Sequence, residues 1–141
     1  MAAAELAARG ADVLVLEEHG DIGRPVHCTG VLGYEAFEEL DLPKHTILAL
    51  SNAAAFRHED GAPVVVDSDR IIAAVVDRAQ FDCALADRAR AAGAVVQTEA
   101  RVDALVVGED GVTIRVRDAS APVRARVCVL AAALLLAGLA F

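Results

Sequence analysis

A chain of 141 residues, 56% of them apolar and 24% charged, has the composition of one compact domain and excludes an intrinsically disordered tail. Thirteen Lys plus Arg against 21 Asp plus Glu leave a net charge of −8, which excludes the basic surface that phosphate-backbone binding needs, so no nucleic-acid partner is expected. The three cysteines, Cys28, Cys83 and Cys128, form an odd set without a Cys-x-x-Cys pair; neither a disulfide framework nor a zinc knuckle is expected, and a reducing, cytoplasmic setting fits.

Aromatics make up 4% of the chain and Trp is absent, while abundant Ala and Val suit helices packed on a buried sheet, which favours an α/β fold over an all-β sandwich. Glu5 and Arg9 interrupt the N-terminal Ala run, so no signal peptide is expected. Ala2 to Arg9 reads as a helix with Gly10 at its left-handed C-terminal cap. Val13 to Leu16 follows as an apolar run of strand length, covered on both faces and ended by Glu17.

From Glu18 to Pro43 the pattern is irregular, with Gly20, Gly23, Pro25, Gly30 and Gly33 giving a specially folded loop. A short helix is expected at Tyr34 to Leu40. Ala53 to His58 and Pro63 to Asp67 flank Glu59-Asp60-Gly61-Ala62 as a hairpin. Asp77 is placed to N-cap a helix, with Gln80 at the reciprocal capping-box spacing. Phe81, Leu85, Ala89 and Ala92 share one face of that helix, and Gly93 ends it. Ala94 to Gln97, Arg101 to Val107, Val112 to Arg117 and Val123 to Leu130 read as strands, the second and third joined by Gly108-Glu109-Asp110-Gly111, so a β-meander follows the helix. Val127 to Phe141 carries no charged residue but falls short of the roughly 20 residues of a membrane-spanning helix. It reads as a buried strand followed by an apolar helix or an ill-matched apolar tail, membrane-surface contact being the alternative.

The chemistry centres on Glu17. An acid that ends a strand in a dinucleotide-binding fold accepts hydrogen bonds from ribose, about 20 residues after a G-x-G-x-x-G loop. Counting back from Glu17 puts that loop and its strand ahead of Met1, so both are expected to be missing. His19, His45 and His58 have no helical-spacing partner, and no metal site is expected. The acidic clusters Glu17-Glu18, Glu35 with Glu38-Glu39-Asp41, and Glu109-Asp110 read as a solvated face. His27 beside Cys28 makes no catalytic dyad, because adjacent side chains point apart. No catalytic acid, base or nucleophile is assigned.

In Val13-Leu14-Val15-Leu16-Glu17, in Asp21-Ile22-Gly23-Arg24-Pro25-Val26-His27-Cys28-Thr29-Gly30 and in Asp77-Arg78-Ala79-Gln80-Phe81-Asp82, the chain resembles the geranylgeranyl reductase family of FAD-dependent oxidoreductases. That family shares its fold with p-hydroxybenzoate hydroxylase-type flavoproteins. The resemblance runs from about Ala2 to Leu130. It implies a partial FAD/NAD(P)-binding, Rossmann-like α/β fold with a β-meander, lacking the first strand and the Gly-rich loop. It implies FAD as cofactor, with Glu17 on the adenosine ribose, Cys28, Thr29, Gly30 and Val31 passing close to the flavin, Arg78 contacting the cofactor, and the Val102 backbone meeting adenine. The implied parent activity is reduction of isoprenoid double bonds by flavin hydride transfer, on an isoprenoid or other apolar small molecule.

Other readings stay open at this point. Glu17 is also read as a solvated strand-end acid, and Arg78 as a surface cation, since a cation at a helix start opposes the helix dipole. After Cys128-Val129-Leu130-Ala131 the family continues into Ala-Asp-Gly, whereas this chain runs Ala132-Ala133-Leu134-Leu135-Leu136, as a truncated or frameshifted fragment would. Residues 1–131 are thus expected to form a partial FAD-binding domain, with the 53–67 hairpin belonging to the substrate region and 132–141 an apolar tail. The alternatives are an inactive remnant, a partner-binding or membrane-associated module, and an FAD-dependent aromatic monooxygenase.

Overall fold

The computed structural model describes residues 1–58 and 61–131. In chain order its elements are α1 (Ala2–Ala8), β1 (Leu14–Leu16), β2 (Val31–Gly33), α2 (Glu35–Glu39), a 3-10 turn (Lys44–Thr46), β3 (Ile47–Ser51), β4 (Ala53–Phe56), β5 (Val64–Asp67), β6 (Ala73–Val76), α3 (Arg78–Ala91), β7 (Val95–Gln97), β8 (Val102–Gly108), β9 (Gly111–Val116) and β10 (Val123–Ala125). They fall into two compact units, Met1–Val13 with Asp21–Val95, and Leu14–Gly20 with the chain from Val96 onward.

The first unit is built on an antiparallel sheet of order β2-β6-β3. Alternate residues of β6, Ala74 and Val76, turn inward and join Phe37, Leu42 and Phe81 in its core. Phe37 is 1% exposed, a burial whose loss on truncation to Ala costs about 3–5 kcal/mol. α3 lays Phe81 and Ala89 inward, with Leu85 packed on the same core, the face its periodicity predicts. Both longer helices stop as expected. Gly10 (φ +83) and Gly93 (φ +101) take the left-handed conformation, and the pairs Gly10 N–H to Ala7 and Ala11 N–H to Leu6, Gly93 N–H to Arg90 and Ala94 N–H to Ala89, satisfy the terminal carbonyls at 2.9–3.1 Å.

Asp77 caps α3 by accepting the Gln80 N–H at 3.1 Å, but the reciprocal half of the predicted box is redirected. The Asp77 N–H is already held by the Thr46 carbonyl at 2.9 Å, so the Gln80 side-chain amide donates to the other Asp77 oxygen at 2.8 Å instead. The expected hairpin forms as β4 paired antiparallel with β5, from Ala53 opposite Asp67 to Phe56 opposite Val64; Glu59 and Asp60 of its predicted turn lie outside the described residues. The helix expected at Tyr34 to Leu40 is the shorter α2. Strands β2, β3 and β6 escaped the sequence reading, because a three-residue strand inside a Gly-rich stretch and an Ala-Ala-Val-Val run carry little periodicity.

In the second unit β8, β9 and β10 form the antiparallel meander that the sequence predicts, with β9 in the middle. Ala100, Ile114 and Val116 are its buried core, packed by Leu16, Leu105, Val112 and Val123. The last strand ends at Ala125 rather than Leu130. Ala125 pairs with Val112 while β9 starts at Gly111, so the ladder runs out of partner, and Val127 and Val129 are 76% and 64% exposed. β1 pairs with β7. The Val95 N–H bonds the Val13 carbonyl and the Glu17 N–H bonds the Gln97 carbonyl, both at 2.9 Å; partners that advance together along both strands are the mark of a parallel pair. The β1 strand is shorter than predicted and Leu14 is 41% exposed. The apolar tail 132–141 lies outside the described residues.

Candidate functional site

Two groups of the predicted residues come together, one in each unit. In the first, the loop that carries Cys28 and Thr29 is pinned to the end of β6. The Val76 N–H donates to the Gly30 carbonyl at 3.0 Å. Gly30 has φ +76, and a Cβ there would stand 2.6 Å from the Val76 carbonyl oxygen, so no other residue brings the loop this close. Val31 then starts β2 opposite Val75, 56% exposed. Gly30 therefore fixes the path of the loop that carries Cys28 and Thr29 against the end of β6.

Arg78 is the first residue of α3, immediately after the cap. Its Nη2 donates to both oxygens of Asp82, at 2.9 and 2.8 Å, which answers why a cation tolerates the unfavourable end of the helix dipole. Its Nε is buried and has no partner among the described residues. The exposed Cys28 Sγ accepts the Gly30 N–H at 3.4 Å. That amide holds the thiol below its usual range, with the Arg78 guanidinium and Thr29 adding to the effect. Asp82 in turn keeps Arg78 firmly charged, and Cys28 contributes. Further along the loop, Cys83 Sγ donates to the Ile22 carbonyl at 3.4 Å, and the Gly23 Cα lies against the first turn of α3, where a Cβ would meet the Ala79 Cα at 3.0 Å.

In the second unit Glu17 follows β1 directly. Its Oε1 accepts two hydrogen bonds from His19, the backbone N–H at 2.9 Å and Nδ1 at 2.8 Å. Its Oε2 has no protein partner among the described residues. The Glu17 carbonyl accepts the Ala100 N–H at 2.8 Å, two residues ahead of Val102. Val102 opens β8, the edge strand of the meander. The bond from the Arg117 N–H to the Arg101 carbonyl makes Val102 and Val116 a non-hydrogen-bonded pair, so the Val102 N–H and carbonyl point away from β9, off the open edge.

Sequence reasoning gives no role to the partners: Asp82, which stands in the quoted Arg78 motif at the i+4 position, and His19, grouped with the scattered histidines. No group of three or more metal-ligating side chains occurs among the described residues, and no described helix is long and apolar enough to cross a membrane. A shallow depression over β8 and β9, lined by Ala104, Val106, Thr113 and Pro122 among others, contains none of the predicted residues.

No family model matches the chain. Curated relatives do. Digeranylgeranylglycerophospholipid reductase of Methanosarcina mazei is 31% identical over 114 residues, 78% of this chain and 28% of the relative. Digeranylgeranylglycerophospholipid reductase 2 of Methanothermobacter thermautotrophicus is 33% identical over 115 residues, 79% of this chain and 30% of the relative. The chain belongs to the geranylgeranyl reductase family. It spans less than a third of the length of these relatives. A solved structure from Thermoplasma acidophilum, described as geranylgeranyl bacteriochlorophyll reductase-like, superposes with a TM-score of 0.73 at 26% identity, over 88% of this chain and 34% of that one.

The wider fold reaches beyond the geranylgeranyl reductases. Halogenase PltM in complex with phloroglucinol and FAD matches over 88% of this chain and 30% of that one, with a TM-score of 0.63 at 19% identity. At that identity the match speaks for the fold alone. The described residues carry a partial FAD-binding, Rossmann-like α/β fold with a β-meander.

Proposed function

We propose that this chain supplies adenosine-binding and flavin-facing parts of an FAD-dependent oxidoreductase, whose full-length form reduces the double bonds of geranylgeranyl chains or related apolar isoprenoids. The observation that carries the reading is Arg78. Its guanidinium is held by Asp82 beside the Cys28–Gly30 loop, yet its Nε is buried without a partner among the described residues, a donor whose desolvation is offset only when an acceptor oxygen arrives.

The other predicted contacts fit the same cofactor. Glu17 keeps Oε2 for ribose hydroxyls, while Oε1 is held by His19. Val102 offers an outward N–H and carbonyl to the edge of adenine. Cys28 and Thr29 line an exposed loop, Gly30 anchors it, and the exposed Val31 opens the strand that follows. The sequence contains no G-x-G-x-x-G, so the donors that offset pyrophosphate charge are not among these residues. When bound, FAD supplies the hydride chemistry; the chain's own side chains hold and orient it.

In this reading residues 1–131 are the FAD-binding part, in a cytoplasmic setting where Cys28, Cys83 and Cys128 stay thiols. The 53–67 hairpin belongs to the substrate region, a placement supported by strands that form a two-stranded sheet of their own among the described residues and expose Phe56, Val64 and Val65 by more than 60%. The test is purification of the chain with FAD, then gel filtration read by visible absorption. Flavin that co-elutes near one per chain is expected, and is lost in Arg78→Ala. A colourless wild-type peak would defeat the reading for this chain.

A further inference from the structure

Glu17 is not free to point anywhere. Its Oε1 is fixed by two donors from one residue, the His19 N–H at 2.9 Å and His19 Nδ1 at 2.8 Å. His19 is itself tied on the other side, where its carbonyl accepts the Glu99 N–H at 3.1 Å. Its second ring nitrogen lies 3.7 Å from Glu18 Oε1. Glu18 continues to Arg101 at 3.6 Å, and Arg101 to Asp103 at 3.6 Å, the residue directly after Val102. A chain of polar contacts within one compact unit thus runs from the carboxylate read as the ribose contact to the backbone read as the adenine contact.

We infer that His19 is the positioning residue of the adenosine site: it fixes the Glu17 carboxylate through Oε1, leaving Oε2 without a protein partner among the described residues, and so gives the chain its preference for FAD over FMN. The inference rests on the proposed FAD reading. A carboxylate accepts hydrogen bonds only, so His19 must carry its proton on Nδ1 to donate to Glu17. A glutamate side chain fixed before ligand arrives loses less rotamer freedom on binding. Partners that orient a ligand-contacting group act on affinity through it, without touching the ligand. A clasp that merely closed the turn after β1 would affect every flavin alike.

The experiment titrates FAD and FMN, by fluorescence anisotropy, into the full chain as wild type, His19→Ala and His19→Asn, each first checked for folding by circular dichroism. Wild type is expected to bind FAD more tightly than FMN. His19→Ala is expected to weaken FAD by about threefold to tenfold, the loss of one charge-assisted hydrogen bond, and to leave FMN unchanged. His19→Asn, whose amide donates from near the Nδ1 position, restores most of the loss. A wild-type preference for FAD that survives in His19→Ala, or a loss that strikes FAD and FMN equally, overturns the inference and leaves the FAD reading standing. A wild type that binds FAD no better than FMN overturns the adenosine reading, and the inference with it. Nitrogen-15 spectra of the ligand-free chain supply an independent arm: His19 as the Nδ1–H tautomer, lost in Glu17→Gln, supports the contact, and an Nε2–H tautomer in wild type overturns it.

Discussion

Arg78 donates from a single nitrogen, Nη2, to both carboxylate oxygens of Asp82 one helical turn on. The pair is only partly covered, with side chains 30% and 27% exposed, so its contribution is that of a screened i,i+4 ion pair and not of a buried one. Its effect is directional. Asp82 holds the guanidinium in one orientation beside Cys28, and that orientation keeps Nε out of water.

Asp82→Ala and Arg78→Ala are therefore expected to be alike in stability and unlike in binding. Each lowers the unfolding free energy by about 0.5 kcal/mol through the lost pair, and a double-mutant cycle in urea returns a coupling of the same size. Co-elution of FAD falls steeply in Arg78→Ala and only partly in Asp82→Ala. A coupling above about 2 kcal/mol would show that the pair holds the fold and not the site.

Two glycines with similar backbone angles are expected to differ in what they tolerate. Gly30→Ala places a methyl group 2.6 Å from the Val76 carbonyl oxygen at φ +76, whereas Gly10→Ala meets nothing within 4 Å at φ +83. The second change carries the left-handed penalty alone, about 1 kcal/mol. The first adds a backbone clash, for a total of about 2–4 kcal/mol. Urea midpoints of the two variants decide it, and equal losses would mean that the loop relaxes freely away from β6.

Stability is expected to fall with acid through the cap of α3. The Gln80 N–H and side-chain amide hold the Asp77 carboxyl below its ordinary value of 3.8. Because the folded value is the lower one, the unfolded chain binds the proton first; the cap's contribution is complete above the ordinary value and is lost as pH falls through the folded one. Asp103, held down by Arg117, acts in the same window and with the same sign. Thermal midpoints measured from pH 6 to pH 2 should drop less steeply in Asp77→Asn than in wild type. Parallel curves would refute the assignment.

Cys28 is expected to react as a thiolate at lower pH than an ordinary thiol, whose value is 9.0. The Gly30 amide is the larger cause and the Arg78 guanidinium a smaller one. In a chain with Cys83→Ser and Cys128→Ser, the pH midpoint of iodoacetamide labelling should lie lower in the native state than in urea, and should rise partway in Arg78→Ala. Identical native and urea midpoints would remove the electrostatic account of the loop.

The elements with strong local signals were legible. α3 announced itself through Asp77, the Phe81 to Ala89 stripe and Gly93; the meander did so through alternation and a Gly-bounded turn. The strands β2 and β6 were not legible, because Val31-Leu32-Gly33 and Ala73-Ala74-Val75-Val76 become strands only by pairing with each other across 40 residues of chain. The end of β10 was misjudged for the same reason, since a strand stops where its partner does and not where its own apolar run does.

The residues of the candidate site divide in the same way. Sequence determined which chemical groups are present and in what local frame: Glu17 at a strand end, Gly30 in a loop, Arg78 after a cap. Tertiary structure decided which of their atoms are already taken. It gives Arg78 to Asp82 and leaves Nε, gives Glu17 Oε1 to His19 and leaves Oε2, and turns the Val102 backbone outward by the register of β8 on β9. A residue name fixes how many hydrogen bonds a side chain offers; only packing fixes how many remain for a ligand.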